Sequence, residues 1–392
     1  MVFQASEVQD YVVAQRRRFH THPELGLKEF ETSAHIRAEL VAHGIPYQRY
    51  GETGIVAEIQ GGQAGENAPC VLLRADMDAL PVQEESGCSF ASQVPNVMHA
   101  CGHDGHTAML MGAARLLWQH REALPGRVRL VFEPAEEFGG AGRELIAAGI
   151  LEGVDTVFAI HVMPDLEVGH ISVQPGPRMA GIGGLSVKVH GVGGHAAMPH
   201  QSVDALLAAA QAVVSLQSFV SREVDANDAV VVSVTKFHAG TTENVIPETV
   251  EFGGCIRYFD RNLDSKLRDS LTRIVQHTAA AYRATAEVEV SFLGDPCISD
   301  EVCSAVAHRA AERVMGPQAV VLKRPVLTSD DFGEYLSRRP GVYAFLGVMN
   351  REKGACYPLH HPKFQMDEDV LGLGSAVYAQ YAWEYCAEHP GK

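Results

Sequence analysis

Short apolar segments alternate with helix-like segments through the first half of the chain, and this alternation restricts the fold more than any other feature. The apolar runs cover 54–60, 70–75, 128–133 and 155–162. Helix-like segments lie near 104–120 and 140–149. Strands that alternate with helices form a sheet with helices on both faces. We therefore predict an α/β fold for this part of the chain.

The chain changes character after the Gln-Pro-Gly-Pro turn at 174–177. The segments that follow have the order β-α-β-β-α-β, which is the ferredoxin-like arrangement. Their predicted ranges are 185–190, 203–220, 229–237, 249–258, 263–283 and 286–292. From about 294 the α/β alternation returns. This organisation predicts an α/β domain in two parts, 1–179 and 294–392, that is interrupted by an inserted α+β domain at 180–293.

Length and charge agree with that organisation and exclude some partners. A chain of 392 residues is too long for one compact core. Its net charge of −16 argues against nucleic acid or an anionic membrane as a partner, because both would repel it. We find no secretory signal and no apolar run of about 18 residues. The eight cysteines are scattered, which is typical of reduced thiols, so we expect a cytoplasmic protein.

The densest group of chemically active residues lies at 98–106. Cys101 and His103 are two residues apart, and a thiolate and an imidazole are both good ligands for zinc-like ions. A structural alternative is a buried cysteine beside a helix start that Asp104 caps. The spacing alone does not decide between a metal site and this alternative.

Adjacent carboxylates follow the apolar run 128–133. Glu136 and Glu137 point to different sides, so that one can bind a metal while the other faces a reacting water. The alternative is a solvated acidic loop, which is the commoner context for such a pair.

Three further segments supply weaker signals of the same kind. Asp76 and Asp78 follow a strand and can orient metal-bound histidines, whereas the alternative is a turn that they cap. His161 ends an apolar run, and a histidine pair occurs near the C-terminus. Together these segments offer a thiolate, imidazoles and paired carboxylates, which suits two divalent cations that share a water.

A set of short motifs spread over nearly the whole chain completes the pattern. They are RRFHTHPELG (17–26), RADMDALP (74–81), HACGHDGHTAML (99–110), EPAEE (133–137), AIHV (159–162), GVGGHAAMPH (191–200), GTTENVIP (240–247), SDDF (329–332) and LHHPKF (359–364). With these motifs the chain resembles the M20 metallopeptidase family. Within that family it resembles the amidohydrolase branch, which contains aminoacylases, hippurate hydrolases and plant auxin-conjugate hydrolases.

The resemblance implies an α/β, zinc-peptidase-like catalytic domain with a mixed sheet, and an inserted ferredoxin-like α+β lid and dimerisation domain. It implies two divalent metal ions per subunit, zinc (Zn2+) or manganese (Mn2+), with cobalt (Co2+) or nickel (Ni2+) as alternatives. The family motif Leu-His-x-Pro-x-Phe selects His360 over its neighbour His361. The implied metal ligands are Cys101, His103, Glu137, His161 and His360.

The resemblance also implies roles for residues around the metals. Glu136 takes the place of the general base and acid, and His195 that of the lid histidine that stabilises the oxyanion, typically in the partner subunit's site. Asn244 and Arg257 match residues that grip the substrate carboxylate. Asp78 and Asp104 would hold ligand histidines by their far ring nitrogens. For His20 and His22 we expect packing and capping, with no carboxylate partner.

The predicted function is hydrolysis of N-acyl amino acids, of the N-acetyl or hippurate type, by Glu136-assisted attack of a metal-bridging water. The small-molecule substrate would be cleaved by a homodimer or homotetramer assembled through the inserted domain. One alternative is a dipeptidase or carboxypeptidase of the same family, and another is a catalytically inactive, metal-stabilised binding dimer. An oxidoreductase is not supported, because no Gly-x-Gly-x-x-Gly follows a predicted strand.

Overall fold

The computed structural model of the protein describes residues 1–390 and divides into two compact units. Unit 1 contains Met1–Arg178, Ile298–Arg324 and the chain from Glu334 onward. Unit 2 contains Met179–Cys297 and Pro325–Gly333.

The helices and strands are numbered in chain order. The helices are α1 (Gln9–Thr21), α2 (Phe30–His43), α3 (His103–Gln119), α4 (Ala141–Ala147), α5 (Ala205–Arg222), α6 (Leu263–Ala281), α7 (Glu301–Met315), α8 (Phe332–Leu336) and α9 (Leu371–Glu388). The strands are β1 (Tyr47–Tyr50), β2 (Gly54–Gln60), β3 (Cys70–Asp76), β4 (Arg127–Glu133), β5 (Thr156–Glu167), β6 (Ile171–Ser172), β7 (Gly176–Met179), β8 (Gly181–His190), β9 (Gly194–His195), β10 (Val230–Ala239), β11 (Val245–Ile246), β12 (Thr249–Tyr258), β13 (Thr285–Gly294), β14 (Cys297–Ser299) and β15 (Gly341–Met349).

A seven-stranded mixed sheet forms the centre of unit 1, in the order β1-β2-β4-β3-β5-β15-β6. The strands β4, β3, β5 and β15 are parallel to one another, whereas β1, β2 and β6 run antiparallel to their neighbours. Every residue of β3 is buried, as expected for a central parallel strand that is covered on both faces. The predicted α/β class with a mixed sheet is confirmed.

Helix α3 is buried along nearly its whole length, because it packs against β3, α1 and α9. It begins directly after Gly102, which has a φ of 92°. A Cβ atom at Gly102 would lie 2.4 Å from Val162 Cγ2, so this position requires glycine. The tight entry places Cys101 just before the helix and His103 at its first residue.

Unit 2 has the predicted ferredoxin-like arrangement, with the sheet order β10-β12-β8-β13 and all strand pairs antiparallel. Helices α5 and α6 pack against each other and bury their apolar faces on the strands of this sheet. Asp204 caps α5, since its Oδ1 accepts a hydrogen bond from the backbone N–H of Leu207 at 3.0 Å. The ferredoxin-like fold of the insert is confirmed.

Unit 2 also includes Pro325–Gly333, which the sequence-based domain bounds assigned to the second part of the catalytic domain. Val326 pairs with Met179, and the backbone N–H of Ala180 donates to the carbonyl of Thr328 at 2.9 Å. These pairings join residues far apart in the chain, so local sequence patterns cannot predict the boundary that they create.

Among the described residues, α5 alone has the length and apolar composition that a membrane-crossing helix needs. This is weak evidence for a membrane span, since a core helix of a globular protein passes the same test. In unit 2 the α5 residues Ala208, Ala212, Leu216 and Phe219 are fully buried.

Candidate metal centre

The predicted ligands of unit 1 lie at the carboxyl ends of the parallel strands β3, β4 and β5. Asp76 is the last residue of β3, and Glu136 lies shortly after β4. The prediction ended the next strand near His161, but β5 continues to Glu167, because its second half pairs with β15. The pairing of β3 with β5 ends at Arg74 and Ala159, so His161 lies beyond the paired segment, at the level of Asp76.

Three buried side chains form the inner part of this site. The Sγ atom of Cys101 lies 3.6 Å from Nε2 of His161. Nδ1 of His103 lies 3.2 Å from Oδ1 of Asp78, which leaves the other ring nitrogen for a different partner. Nε2 of His103 is buried and has no hydrogen-bond partner within residues 1–390. A buried polar atom without a partner is costly, so this nitrogen is poised for a ligand.

The two adjacent glutamates are held in place by a strained turn. Ala135 has a φ of 54°, a left-handed conformation that is uncommon for a residue other than glycine. Its backbone N–H donates to Oε1 of Glu29 at 2.8 Å. The N–H groups of Glu136 and Glu137 donate to the two carboxylate oxygens of Asp78, each at 3.1 Å. Asp78 thus positions both this turn and His103.

The glutamate side chains emerge from the turn at different places. Oε2 of Glu136 lies 3.9 Å from Nε2 of His103. Oε1 of Glu137 lies 4.0 Å from the same nitrogen and 3.1 Å from Nε2 of His360. Glu137 therefore lies between the two histidines, whereas Glu136 lies beside the donor cluster.

The backbone places the two C-terminal histidines, His360 and His361, in different surroundings. His360 has a φ of 65°, and its N–H donates to the carbonyl of Ala100 at 2.8 Å, next to Cys101. The ring of His361 instead stacks on Tyr357, with the ring centroids 4.7 Å apart. The structure thus directs His360 toward the cluster. Strain of this kind persists where the surrounding structure demands it, often at functional sites.

The electrostatics of the cluster suit a cation. Burial raises the pKa of the Cys101 thiol to about 12, so ionisation of this thiol needs a nearby positive charge. Burial also opposes ionisation of Asp76, but the neighbouring His103 and His106 hold its pKa well below the ordinary range. The donor groups that are compact enough to hold a divalent ion include Cys101–His103–His161 and Cys101–Glu137–His360.

The structure corrects the prediction for Asp104. Its Oδ2 lies 2.8 Å from Nε of Arg16 and 2.8 Å from Nδ1 of His20, so it pairs with these side chains rather than with a histidine of the candidate metal centre. Asp104 directly follows His103 in the sequence, but on α3 the carboxylate of Asp104 points toward α1. The prediction that His20 lacks a carboxylate partner was wrong for the same reason.

Sequence reasoning expected His106 to line the site without ligating a metal, and it did not find Glu29. His106 lies 2.6 Å from Oδ1 of Asp76 through Nδ1, and its Nε2 accepts the backbone N–H of Val162 at 2.9 Å. It thereby links β3 to the strand segment that carries His161. The three-residue spacing from His103 on one helix was an available signal. Glu29 had no sequence signal, because its contact with the glutamate turn is formed only by the tertiary fold.

The remaining predicted site residues lie in unit 2. His195 on β9 pairs with Val245 on β11, and the N–H of Ala196 donates to the carbonyl of Asn244 at 3.0 Å. His195 and Asn244 are therefore neighbours. Arg257 lies half-buried on the interior strand β12.

A comparison with known protein families decides the assignment. Residues 72–384 match the family described as Peptidase family M20/M25/M40. The chain belongs to this family. Membership agrees with the predicted resemblance and makes the protein an M20 hydrolase.

Several relatives match the M20 chain over nearly its whole length. An IAA-amino acid hydrolase ILR1-like 4 from Arabidopsis thaliana is 39% identical over 97% of this chain and 86% of its own. An N-acetylcysteine deacetylase from Bacillus subtilis is 38% identical over 95% of this chain and 96% of its own. A crystal structure described as a dinuclear metal-binding peptidase of the M20 family, from Bacillus subtilis, is 34% identical. It covers 97% of this chain and 99% of its own, with a TM-score of 0.86. The M20 chain is thus an amide hydrolase with a candidate site for divalent metals.

Proposed function

We propose that this protein hydrolyses the amide bond of N-acyl amino acids and releases a carboxylic acid and a free amino acid. The observation that supports this most strongly is the convergence of Cys101, His103, Glu137, His161 and His360, with Glu136 beside them. The names of two relatives agree with this proposal, since a deacetylase of N-acetylcysteine and a hydrolase of IAA-amino acids both act on acylated amino acids.

We assign the five converging side chains as ligands of two divalent ions, zinc or manganese, with cobalt or nickel as alternatives. The orphaned Nε2 atom of His103 and the buried Cys101 thiol both fit this assignment. Bound ions of this kind supply Lewis acidity and make water more acidic. Asp78 holds His103 in the orientation that presents Nε2, and it also fixes the turn of both glutamates.

We assign Glu136 as the general base and acid. Its carboxylate accepts a proton from the attacking water while the water oxygen bonds to the amide carbon. The same carboxyl then donates this proton to the amide nitrogen as the C–N bond breaks. Its position beside His103, in a turn held by hydrogen bonds at Ala135, Glu136 and Glu137, keeps the carboxylate oriented for both transfers.

We assign His195 to the developing negative charge on the carbonyl oxygen. Its Nδ1 accepts the backbone N–H of Ala197 at 3.0 Å, so the proton of the neutral ring lies on Nε2. An Nε2–H donor is the group that stabilisation of an oxyanion requires.

We assign Asn244 and Arg257 to the carboxylate of the amino-acid part. The planar guanidinium of arginine binds a carboxylate through two parallel hydrogen bonds. Asn244 shares a backbone hydrogen bond with the loop of His195, so the oxyanion donor and the carboxylate contact are positioned together.

We further propose that residues 180–293 form the lid and dimerisation domain between catalytic parts 1–179 and 294–392, and that the enzyme is a cytoplasmic homodimer or homotetramer. On α5, Leu207 and Val214 are 51% and 65% exposed, which leaves apolar surface available to a second copy. Sedimentation of the purified enzyme, compared with that of a Leu207→Glu and Val214→Glu variant, tests the assembly. A monomeric wild-type enzyme would contradict it.

A second candidate is a carboxypeptidase or dipeptidase. It is favoured by a relative from Saccharolobus solfataricus named thermostable carboxypeptidase 2, which is 39% identical over 97% of this chain and 96% of its own. Both candidates use the same proton transfers, and they differ in the group on the acyl side of the amide bond.

A metal-reconstituted activity screen tests the proposal. The substrates are N-acetyl amino acids, hippurate and dipeptides that share the same C-terminal amino acid, and kcat/KM is measured for each. We expect the acyl amino acids to be preferred. Preference for dipeptides would support the second candidate, and failure to hydrolyse any of these substrates would overturn both.

A further inference from the structure

A second cluster of metal-ligating side chains lies in unit 1 outside the candidate metal centre. The segment after β3 carries Glu84 and Cys88 to His20 on α1. Nε2 of His20 lies 3.1 Å from Oε1 of Glu84, and Sγ of Cys88 lies 3.7 Å from the same oxygen. The three ligand atoms all lie within 4.8 Å of one another. No role in the proposed reaction uses this cluster.

The histidine of this cluster is oriented in the way that metal-binding histidines are. Nδ1 of His20 lies 2.8 Å from Oδ2 of Asp104, and both side chains are fully buried. A carboxylate at one ring nitrogen fixes the tautomer and turns the other nitrogen toward a metal. The pair Asp104–His20 thus has the same relationship as the pair Asp78–His103 in the candidate metal centre.

The distances match those of a tetrahedral site. With metal bonds of about 2.05 Å to nitrogen, 2.1 Å to oxygen and 2.3 Å to sulfur, tetrahedral geometry separates N and O by about 3.4 Å, and O and S by about 3.6 Å. The observed separations in the second cluster are 3.1 and 3.7 Å. The candidate metal centre has comparable ones, 3.1 Å for Glu137–His360 and 3.6 Å for Cys101–His161.

The charges nearby leave room for a cation. Arg16 is 1% exposed and pairs with Asp104 and Glu368. Arg17 also pairs with Glu368. Both guanidinium groups are therefore engaged by carboxylates other than Glu84. A divalent ion held by the imidazole, the carboxylate and the Cys88 thiolate would take the place of the proton between His20 and Glu84, and the half-buried Cys88 offers a path from solvent.

We propose that His20, Glu84 and Cys88 form a further binding site for a divalent cation of the zinc type, distinct from the candidate metal centre. A thiolate, an imidazole and a carboxylate form a donor set that favours zinc over hard ions such as magnesium or calcium. The site joins α1 to the segment after β3, which also contacts α1 through the ring of Phe90.

The site is connected to the segment that carries His360. The backbone N–H of Glu85 donates to the carbonyl of Pro362 at 2.8 Å, and Nε2 of Gln365 donates to the carbonyl of Ser86 at 3.0 Å. A cation at His20, Glu84 and Cys88 would therefore restrain the segment that presents a ligand of the candidate metal centre.

Zinc content tests the site directly. Wild-type protein, Cys88→Ser and a matched control, Cys255→Ser, are loaded with zinc, freed of excess metal and analysed by mass spectrometry of the element. Cys255 is also half-buried and lies in unit 2. We expect Cys88→Ser to hold one zinc ion fewer per chain than the other two proteins. Equal zinc content in all three proteins would overturn the proposal.

A second measurement needs no substitution and decides the matter if Cys88→Ser fails to fold. Apo and zinc-loaded wild-type protein are alkylated with iodoacetamide, and the modified cysteine peptides are quantified by mass spectrometry. Zinc at about ten times its dissociation constant should slow alkylation of Cys88 about ten-fold and leave that of Cys255 unchanged. Alkylation of Cys88 at the same rate with and without zinc would contradict the site. Neither measurement depends on amide hydrolysis, so a negative result would contradict the second cation site without contradicting the proposed function.

Discussion

Nε2 of His360 lies 3.1 Å from Oε1 of Glu137, although the two residues belong to segments far apart in the chain. The contact is made by a histidine with a φ of 65°, whose N–H is held by the carbonyl next to Cys101. The last predicted ligand thus enters the donor cluster through a strained backbone position, and its neighbour His361 is turned away against Tyr357.

Substitution of the two neighbouring histidines should separate their roles. We expect His360→Ala to weaken binding of one divalent ion by at least about ten-fold, because a ligand is lost from the set that contains Cys101 and Glu137. His361→Ala is the matched control and should bind metal as the wild type does. Isothermal titration of the apo-proteins measures this, and equal weakening by both substitutions would contradict the assignment.

Glu136→Gln should retain the metals and lose turnover. The amide is similar in shape to the carboxylate but accepts no proton, so we expect kcat to fall by a factor on the order of 10²–10⁴. Metal content and kcat are measured together on the preferred acyl amino acid. The control is Glu122→Gln, since the Glu122 side chain is 83% exposed and lies outside the site. If Glu136→Gln had the kcat of the wild type, Glu136 would not be the general base and acid.

Asp78→Asn tests the residue that positions both a ligand and the catalytic turn. The amide cannot accept hydrogen bonds from His103, Glu136 and Glu137 as the two carboxylate oxygens do. Loss of such a supporting contact costs roughly 10–100-fold in metal affinity or activity. Metal titration and kcat/KM detect this, and a variant with unchanged values for both would show that the turn is held without Asp78.

His195→Ala should lower kcat without a change in metal content. The substitution removes a donor to the developing oxyanion, for which losses of about 10²–10³ in kcat are typical. His238→Ala provides the control, because His238 is also an exposed strand histidine of unit 2. If His195→Ala and His238→Ala have the same kcat as the wild type, the assigned role is refuted.

Acid should destabilise unit 1 partly through Glu334. Burial alone would raise its pKa, but hydrogen bonds from Arg143 and Arg338 outweigh burial and hold the pKa below the ordinary value of 4.5. A carboxylate with a depressed folded-state pKa stabilises the protein above its unfolded-state pKa, and this contribution is lost as the pH falls through the folded-state value.

Chemical denaturation of apo-protein between pH 7 and 3 measures this contribution. Below about pH 5, the free energy of unfolding should fall more steeply for the wild type than for Glu334→Gln. Glu122→Gln should follow the wild type. Parallel curves for the wild type and Glu334→Gln would show that the two arginine contacts contribute nothing to folding.

The secondary structure of both units was largely readable from local patterns. The ranges 54–60 and 249–258 were predicted to the residue, because each apolar strand is bounded by turn residues. Strand β5 was predicted too short, since its second half owes its conformation to pairing with β15. Local pattern predicts a strand well where the strand is buried and less well where a partner distant in sequence extends it.

Contacts of charged residues were less predictable. Asp104 lies beside His103 in the chain, yet it pairs with Arg16 and His20. Glu29 supports the glutamate turn through Ala135 without any motif that connects them. A charged side chain has long reach and several candidate partners, so sequence spacing does not determine which partner it contacts.

The sequence by itself determined the alternation of strands and helices and the membership of the M20 family, because each depends on residue types within short segments. It also predicted the donor residues, with His360 preferred over His361. The tertiary structure alone decided how His360 approaches Glu137, that Asp104 pairs with His20, and that Glu84 and Cys88 meet that same histidine. The physical reason is that these contacts join segments brought together only when β3, α1 and α3 pack around a shared core.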